Sequence, residues 1–145
     1  MRPLLLAEAP ARDDNWREPL NGRAGQNLMR HLGVEPTYEN LRERFDVLNA
    51  SERLEDAYPW SAPAARLRWT VWRLHEPTER LVVVCLGRRA AAAVGLRPDH
   101  PWGEWTEVGD DLVTALPHPS GRCRVYNDPN FRAVARAVLE EALDA

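Results

Sequence analysis

Leu81-Val82-Val83-Val84-Cys85-Leu86, followed at once by Gly87 and the run Arg88 to Val94, decides the fold class. An apolar run with no polar alternation predicts a strand covered on both faces, as in a parallel sheet between helices. Gly87 turns that strand into the next helix. Downstream, residues 97 to 111 read as a loop carrying Trp102 and Trp105. Leu112 to Leu116 reads as the last strand, ending in Pro117-His118-Pro119-Ser120-Gly121. A final helix starts after Asp128, with Pro129 in its first turn. It carries Phe131, Val134, Ala135, Val138, Leu139 and Ala142 on one stripe.

Upstream of the central run, Ser61 caps a helix predicted from Pro63 to Leu74, with Leu67, Val71 and Leu74 on one face. Phe45 to Leu48 reads as a strand with Asn49 at its C-terminal end. Thr37 caps a short helix through Leu41. Ala24, Leu28 and Leu32 repeat at i, i+4, i+8, so a helix starts near Arg23 and closes at Gly33. Leu4 to Ala7 is a short apolar strand leading into the loop Glu8-Ala9-Pro10-Ala11, and Arg12 to Asn21 is polar loop. Strands alternating with helices predict a parallel sheet between helical layers. No repeat or linker divides the chain, so residues 1–145 are expected to form one domain.

Composition narrows the chemistry. The 145 residues include 19 cations, all arginine, and no lysine. Schiff-base, P-loop and lysine-base chemistry are excluded. Hydrophobic residues at 44% against 28% charged argue for a folded domain. A net charge of −3 gives no global basic field, so nucleic-acid binding would need a local arginine patch. Two cysteines, Cys85 and Cys123, cannot form a four-cysteine zinc or iron–sulfur site. No metal or other cofactor is expected. Cys85 lies in the apolar strand and is expected to be inert. No segment approaches membrane-spanning length, and the apolar run at Pro3 to Ala7 is too short for a signal sequence. A reduced, cytoplasmic monomer is expected. The charges of Ser51–Glu55 and Arg66–Arg73 are expected on solvated helix faces.

Ligands of open parallel sheets bind beyond the carboxyl ends of the strands. Three polar segments fall there: Glu8-Ala9-Pro10 with its following loop, Asn49, and His118-Pro119-Ser120. Each alone reads equally as a solvated carboxylate, a turn cap or an incidental loop histidine. Together they form a candidate pocket.

Ala7-Glu8-Ala9-Pro10, followed by Asn21-Gly22-Arg23-Ala24-Gly25, resembles the first motif of the uracil-DNA glycosylase superfamily, in the branches with Gly-Glu-Ala-Pro-Gly and Gly-Arg-Ala-Gly segments. Val83 to Ala91 resembles that family's buried third strand and following helix. Leu116-Pro117-His118-Pro119-Ser120-Gly121 resembles its His-Pro-Ser loop. The three motifs run in order along nearly the whole chain. The resemblance implies a three-layer α/β/α fold with a central four-stranded parallel sheet. It also implies hydrolysis of the N-glycosidic bond of a flipped-out base, with DNA or a nucleotide as substrate. By position, His118 stabilises the leaving base. Asn49 pairs with the base edge, Ala9, Pro10 and Ser120 line the pocket, and Arg12, Arg23, Arg122, Arg124 and Tyr126 meet the DNA.

The chain departs from the family pattern at informative places. Arg12 stands where similar enzymes carry a carboxylate, and Ala9 stands where the archetypal enzymes do. Asp13, Asp14 or Glu8 is expected to take over that role, with Asp13 the first candidate. Leu20 falls on the family's base-stacking phenylalanine, and Trp16 is the candidate replacement aromatic. The cluster-binding cysteines of some branches are absent. Three readings stay open: a monofunctional DNA glycosylase with altered base preference, an enzyme of free or modified nucleotides, and a non-catalytic binder. With no lysine amine as a nucleophile, any glycosylase here is expected to use water and leave the abasic site intact.

Overall fold

The computed structural model describes residues 2–9, 18–51, 59–120 and 123–145. Strands β1 (Leu4–Ala7), β2 (Asp46–Asn49), β3 (Val82–Leu86), β4 (Thr106–Val108) and β5 (Asp111–Leu116) form one sheet in the order β2-β1-β3-β5-β4. β1 pairs in parallel with β2 and β3, and β3 pairs in parallel with β5. The sheet is therefore five-stranded, not four-stranded. The extra strand, β4, lies in the stretch read from sequence as loop and runs antiparallel to β5. Gly109 and Asp110 join the two as a two-residue hairpin, a connection favoured by Gly-Asp pairs. β4 is short, polar and half-exposed on an edge, so hydrophobic periodicity could not reveal it.

The helices α1 (Arg23–Leu32), α2 (Tyr38–Arg44), α3 (Ala62–His75), α4 (Arg88–Val94) and α5 (Pro129–Asp144) cover both faces. The apolar strands serve two cores with alternate residues. Leu5, Ala7, Val84, Leu86 and Leu116 pack with Leu28 and Met29 of α1, Leu41 of α2 and Leu139 of α5. Leu4, Leu6, Val83, Cys85, Val113 and Ala115 pack with Ala65 and Trp69 of α3 and Ala90 and Val94 of α4. Both sides of β1 and β3 are covered, which is why their sequences show no alternation. The Cys85 thiol is wholly buried and burial pushes its pKa up, keeping it protonated.

Two helix faces differ from expectation. Leu67, Val71 and Leu74 are 65%, 47% and 78% exposed. α3 docks instead through Ala65 and Trp69, and Trp72 stacks on Trp69 at 5.5 Å. Tryptophan buries more apolar area than leucine, so the aromatic stripe takes the sheet. On α5, Val134 is likewise exposed while Ala135, Val138, Leu139 and Ala142 are buried. Among the described residues, no helix is long and apolar enough to cross a membrane.

Candidate functional site

The register brings the polar segments to one rim. Ala7 pairs with Asn49, Leu6 with Cys85, and Leu86 with Leu116. Glu8, Ala50, Gly87 and Pro117 therefore leave the sheet at the same end. Backbone hydrogen bonds continue across that rim. The Ala50 N–H donates to the Ala7 carbonyl, the Ser51 N–H to the Glu8 carbonyl and the Gly87 N–H to the Leu116 carbonyl, each at 2.8 Å. The loops begin on fixed backbone rather than drifting from the strand ends.

Asn49 is the least satisfied group there. It is 2% exposed, and neither Oδ1 nor Nδ2 has a hydrogen-bond partner. Its backbone carbonyl accepts from Arg68 Nε at 3.0 Å. Leaving a buried amide unpaired costs about 1–3 kcal/mol per group. A carboxamide offers a donor and an acceptor side by side, which matches the edge of a nucleobase.

The His118 loop is pinned from three directions. Tyr126 Oη donates to the Pro117 carbonyl at 2.6 Å, and Asn27 Nδ2 donates to the Pro119 carbonyl at 2.8 Å. The Cys123 N–H donates to the Ser120 carbonyl at 3.1 Å. Pro117 and Pro119 are buried, while His118 and Ser120 between and beyond them keep part of their surface. Such pinning fixes the backbone on either side of His118.

Glu8 is half-buried, and its Oε2 accepts from the Arg89 N–H at 2.9 Å in the first turn of α4. The carboxylate thus satisfies one of the helix's open N–H groups. Gly87 is required beside it. Its φ is +102°, and a Cβ there would stand 2.5 Å from Glu8 Oε2. The two arginines that follow lie over tryptophans, Arg88 3.7 Å from the Trp102 ring centre and Arg89 5.3 Å from that of Trp60.

The remaining expected site residues divide. Ala9 is half-buried at the start of the β1 loop. Arg23 opens α1 and Arg124 opens the short 3-10 turn Arg124–Asn127, and both are exposed. Leu20 belongs to the core. It is 3% exposed in the core with Ala7 and Leu28, held at φ +65°. Its carbonyl presses on α1, where a Cβ at Gly25 would lie 1.9 Å away, so the glycine of the Gly-Arg-Ala-Gly segment is a close-approach residue. Tyr126 belongs to the same core. It is buried, stacked on His31 at 4.6 Å and edge-on to Phe131, with its hydroxyl taken by the loop it steadies. Burial also pushes its pKa up, so it stays a donor. Pro10, Arg12, Asp13, Trp16 and Arg122 lie outside the described residues.

Sequence reading missed Asn27, which joins α1 to the His118 loop. Its sole trace was a polar residue next to Leu28 on an amphipathic helix. It also missed Arg73, expected on a solvated face but bonded to Asp111 at 2.7 Å.

A protein-family model described as the Uracil DNA glycosylase superfamily matches residues 1–140. No curated protein sequence matches the chain. The match spans both ends of the sheet and every motif on its rim, and the chain belongs to the uracil-DNA glycosylase superfamily.

Proposed function

We propose that this glycosylase-like domain is a monofunctional DNA N-glycosylase that releases uracil or another deaminated or modified base from DNA. The observation that carries the reading is Asn49. Its amide is buried at the rim, with both polar atoms unpartnered, beside the β1 loop. That chemistry suits a base brought out of the stack and read by its edge.

In the proposed reaction, water attacks the anomeric carbon as the bond from that carbon to the base nitrogen breaks. The bonding pair leaves with the base, whose carbonyl oxygen carries the developing negative charge. His118, fixed between two anchored prolines, donates to that oxygen. The water's proton passes to a carboxylate. Glu8 Oε2 is engaged by the Arg89 N–H, so Asp13 is the first candidate and Glu8 the second. The base then takes up a proton from solvent. Ala9, Pro10 and Ser120 border the base, Trp16 is the candidate stacking ring, and Arg12, Arg23, Arg122 and Arg124 meet phosphate. With every cation an arginine, the abasic strand is left uncut.

The test is single-turnover incubation with labelled duplexes containing uracil, hypoxanthine, xanthine or hydroxymethyluracil. One of them is expected to yield strand breaks after alkali and none before it. Absence of base release from all four, with DNA binding intact, would reject the catalytic reading.

A further inference from the structure

α1 and α5 lie on the same face of the sheet, and both start at the rim that carries His118. Between them runs an open groove of about 570 Å³ lined by Asn27, Arg30, His31, Arg132, Ala133 and Arg136. Among the described residues, no carboxylate lines it. Arg132 and Arg136 stand one helical turn apart, about 6 Å along α5. Arg136 gives its Nε to Glu140 at 2.8 Å, and its Nη1 would lie 3.1 Å from a Cβ on Gly33. That ion pair is exposed and i,i+4, a kind that holds the side chain only weakly. Arg30 donates to Asn27 Oδ1 at 3.0 Å, and Asn27 in turn holds the Pro119 carbonyl. The groove is thus wired through one amide to the loop that carries His118.

Three guanidinium groups and an imidazole converge here in a chain whose net charge is −3. Like charges gathered in one groove repel one another unless an anion joins them. Guanidinium is the cation best matched to phosphate oxygens. His31 adds an imidazole beside these cations. Burial and the neighbouring Arg132 lower its pKa, and its ring lies flat on Tyr126.

We infer that the groove between α1 and α5 binds backbone phosphates of the DNA strand flanking the extruded nucleotide. This extends the phosphate track from Arg23 and Arg124 along the helices. The inference rests on the reading of DNA as substrate but not on catalysis. It names a surface that binds undamaged duplex as well as a lesion.

The test compares the wild-type chain with R132Q/R136Q and R132K/R136K. The probe is a fluorescein-labelled undamaged duplex of twenty base pairs, titrated across salt concentrations. Neutralising two phosphate contacts is expected to reduce the slope of log K against log salt by about two. The lysine pair should keep the wild-type slope. An unchanged slope in R132Q/R136Q overturns the inference, as does a wild-type chain that binds no duplex. Inorganic phosphate is the second probe. If it raises the melting temperature of the wild type but not of R132Q/R136Q, while the duplex slope is unchanged, the groove takes a small free anion and the DNA assignment fails. Base release is read separately. A wild-type chain that releases no base, with the expected slope change in R132Q/R136Q, would reject the catalytic proposal and leave this one standing.

Discussion

The two ends of the sheet solve opposite problems. At the N-terminal ends of the parallel strands, the Asp111 carboxylate accepts from Arg73 Nε at 2.7 Å, from Arg73 Nη2 at 2.9 Å and from the Leu81 N–H at 2.9 Å. Arg73 Nη2 also donates to the Glu79 carbonyl at 3.0 Å, and the bond to Asp111 holds the guanidinium charged. These bonds tie α3 to β5. At the C-terminal rim, Asn49 is buried without a partner and Leu20 sits at φ +65°. Unpaired and strained groups persist only where the surrounding structure enforces them, and they gather at functional sites. One end therefore ties the layers together, while the other leaves a buried amide unpaired.

Mutations should separate these roles. The largest effect is expected for His118→Ala, which should slow base release by roughly 10²–10³-fold, the usual loss for one preorganised donor. Thermal unfolding should barely change, because the loop is anchored through Pro117, Pro119 and Ser120 rather than the imidazole. Single-turnover rates and melting curves on the same preparation check both halves. An equal loss of stability would erase the distinction between the ends.

Asp111→Ala should do the reverse. It leaves the partly buried Arg73 guanidinium and the Leu81 N–H without their acceptor, at a cost of about 3 kcal/mol. Urea denaturation should show a lower midpoint with an unchanged slope, and the folded fraction should release base at the normal rate. A large rate change would mean that the far end of the sheet also sets the rim's geometry.

How much of this was legible in the sequence follows the same division. β1 and β3 were plain, because strands covered on both faces are unbroken apolar runs. Asn49 and His118 were placed at the rim because they directly follow such runs. β4 escaped because an edge strand needs no apolar code, and its hairpin cue is only Gly109-Asp110. Leu67, Val71 and Leu74 have the spacing of an inner face of α3, but spacing alone does not rank leucine against tryptophan. Asn27, Tyr126 and Arg73 act through partners 92, 9 and 38 positions away, and local pattern cannot report such pairings. Tyr126 looked like a DNA contact because loop position suggests exposure, whereas its ring is packed on His31 and Phe131.

A smaller effect, of unusual sign, is expected at Asn49. Replacing it with leucine removes two buried polar atoms that lack partners, so stability should rise by about 1 kcal/mol. Base release should nonetheless fall by roughly 10–100-fold, the value of one or two lost hydrogen bonds. Melting temperature and catalytic rate would move in opposite directions. A destabilised Asn49→Leu variant would show that the amide serves the fold and would remove the main support for a base-reading pocket.

The smallest effect is expected at His31, in the groove between the two ends. Its folded pKa is lowered, first by burial and then by Arg132, from an ordinary value of 6.5. Above pH 6.5 the imidazole is neutral in both folded and unfolded chains and contributes nothing to pH dependence. As pH falls through 6.5 the unfolded chain takes up the proton more readily, so folding weakens. Once pH passes below the lowered folded value, both states are protonated and the loss levels off. His31→Gln should therefore lose less stability than the wild type between pH 7.5 and pH 5. The difference between the two melting curves isolates this histidine from carboxylates that titrate in both. Phosphate bound among Arg30, Arg132 and Arg136 would favour the charged imidazole, so added phosphate should narrow that difference. An identical acid response in both chains would mean that His31 is solvated and that the groove is less desolvated than its packing on Tyr126 implies.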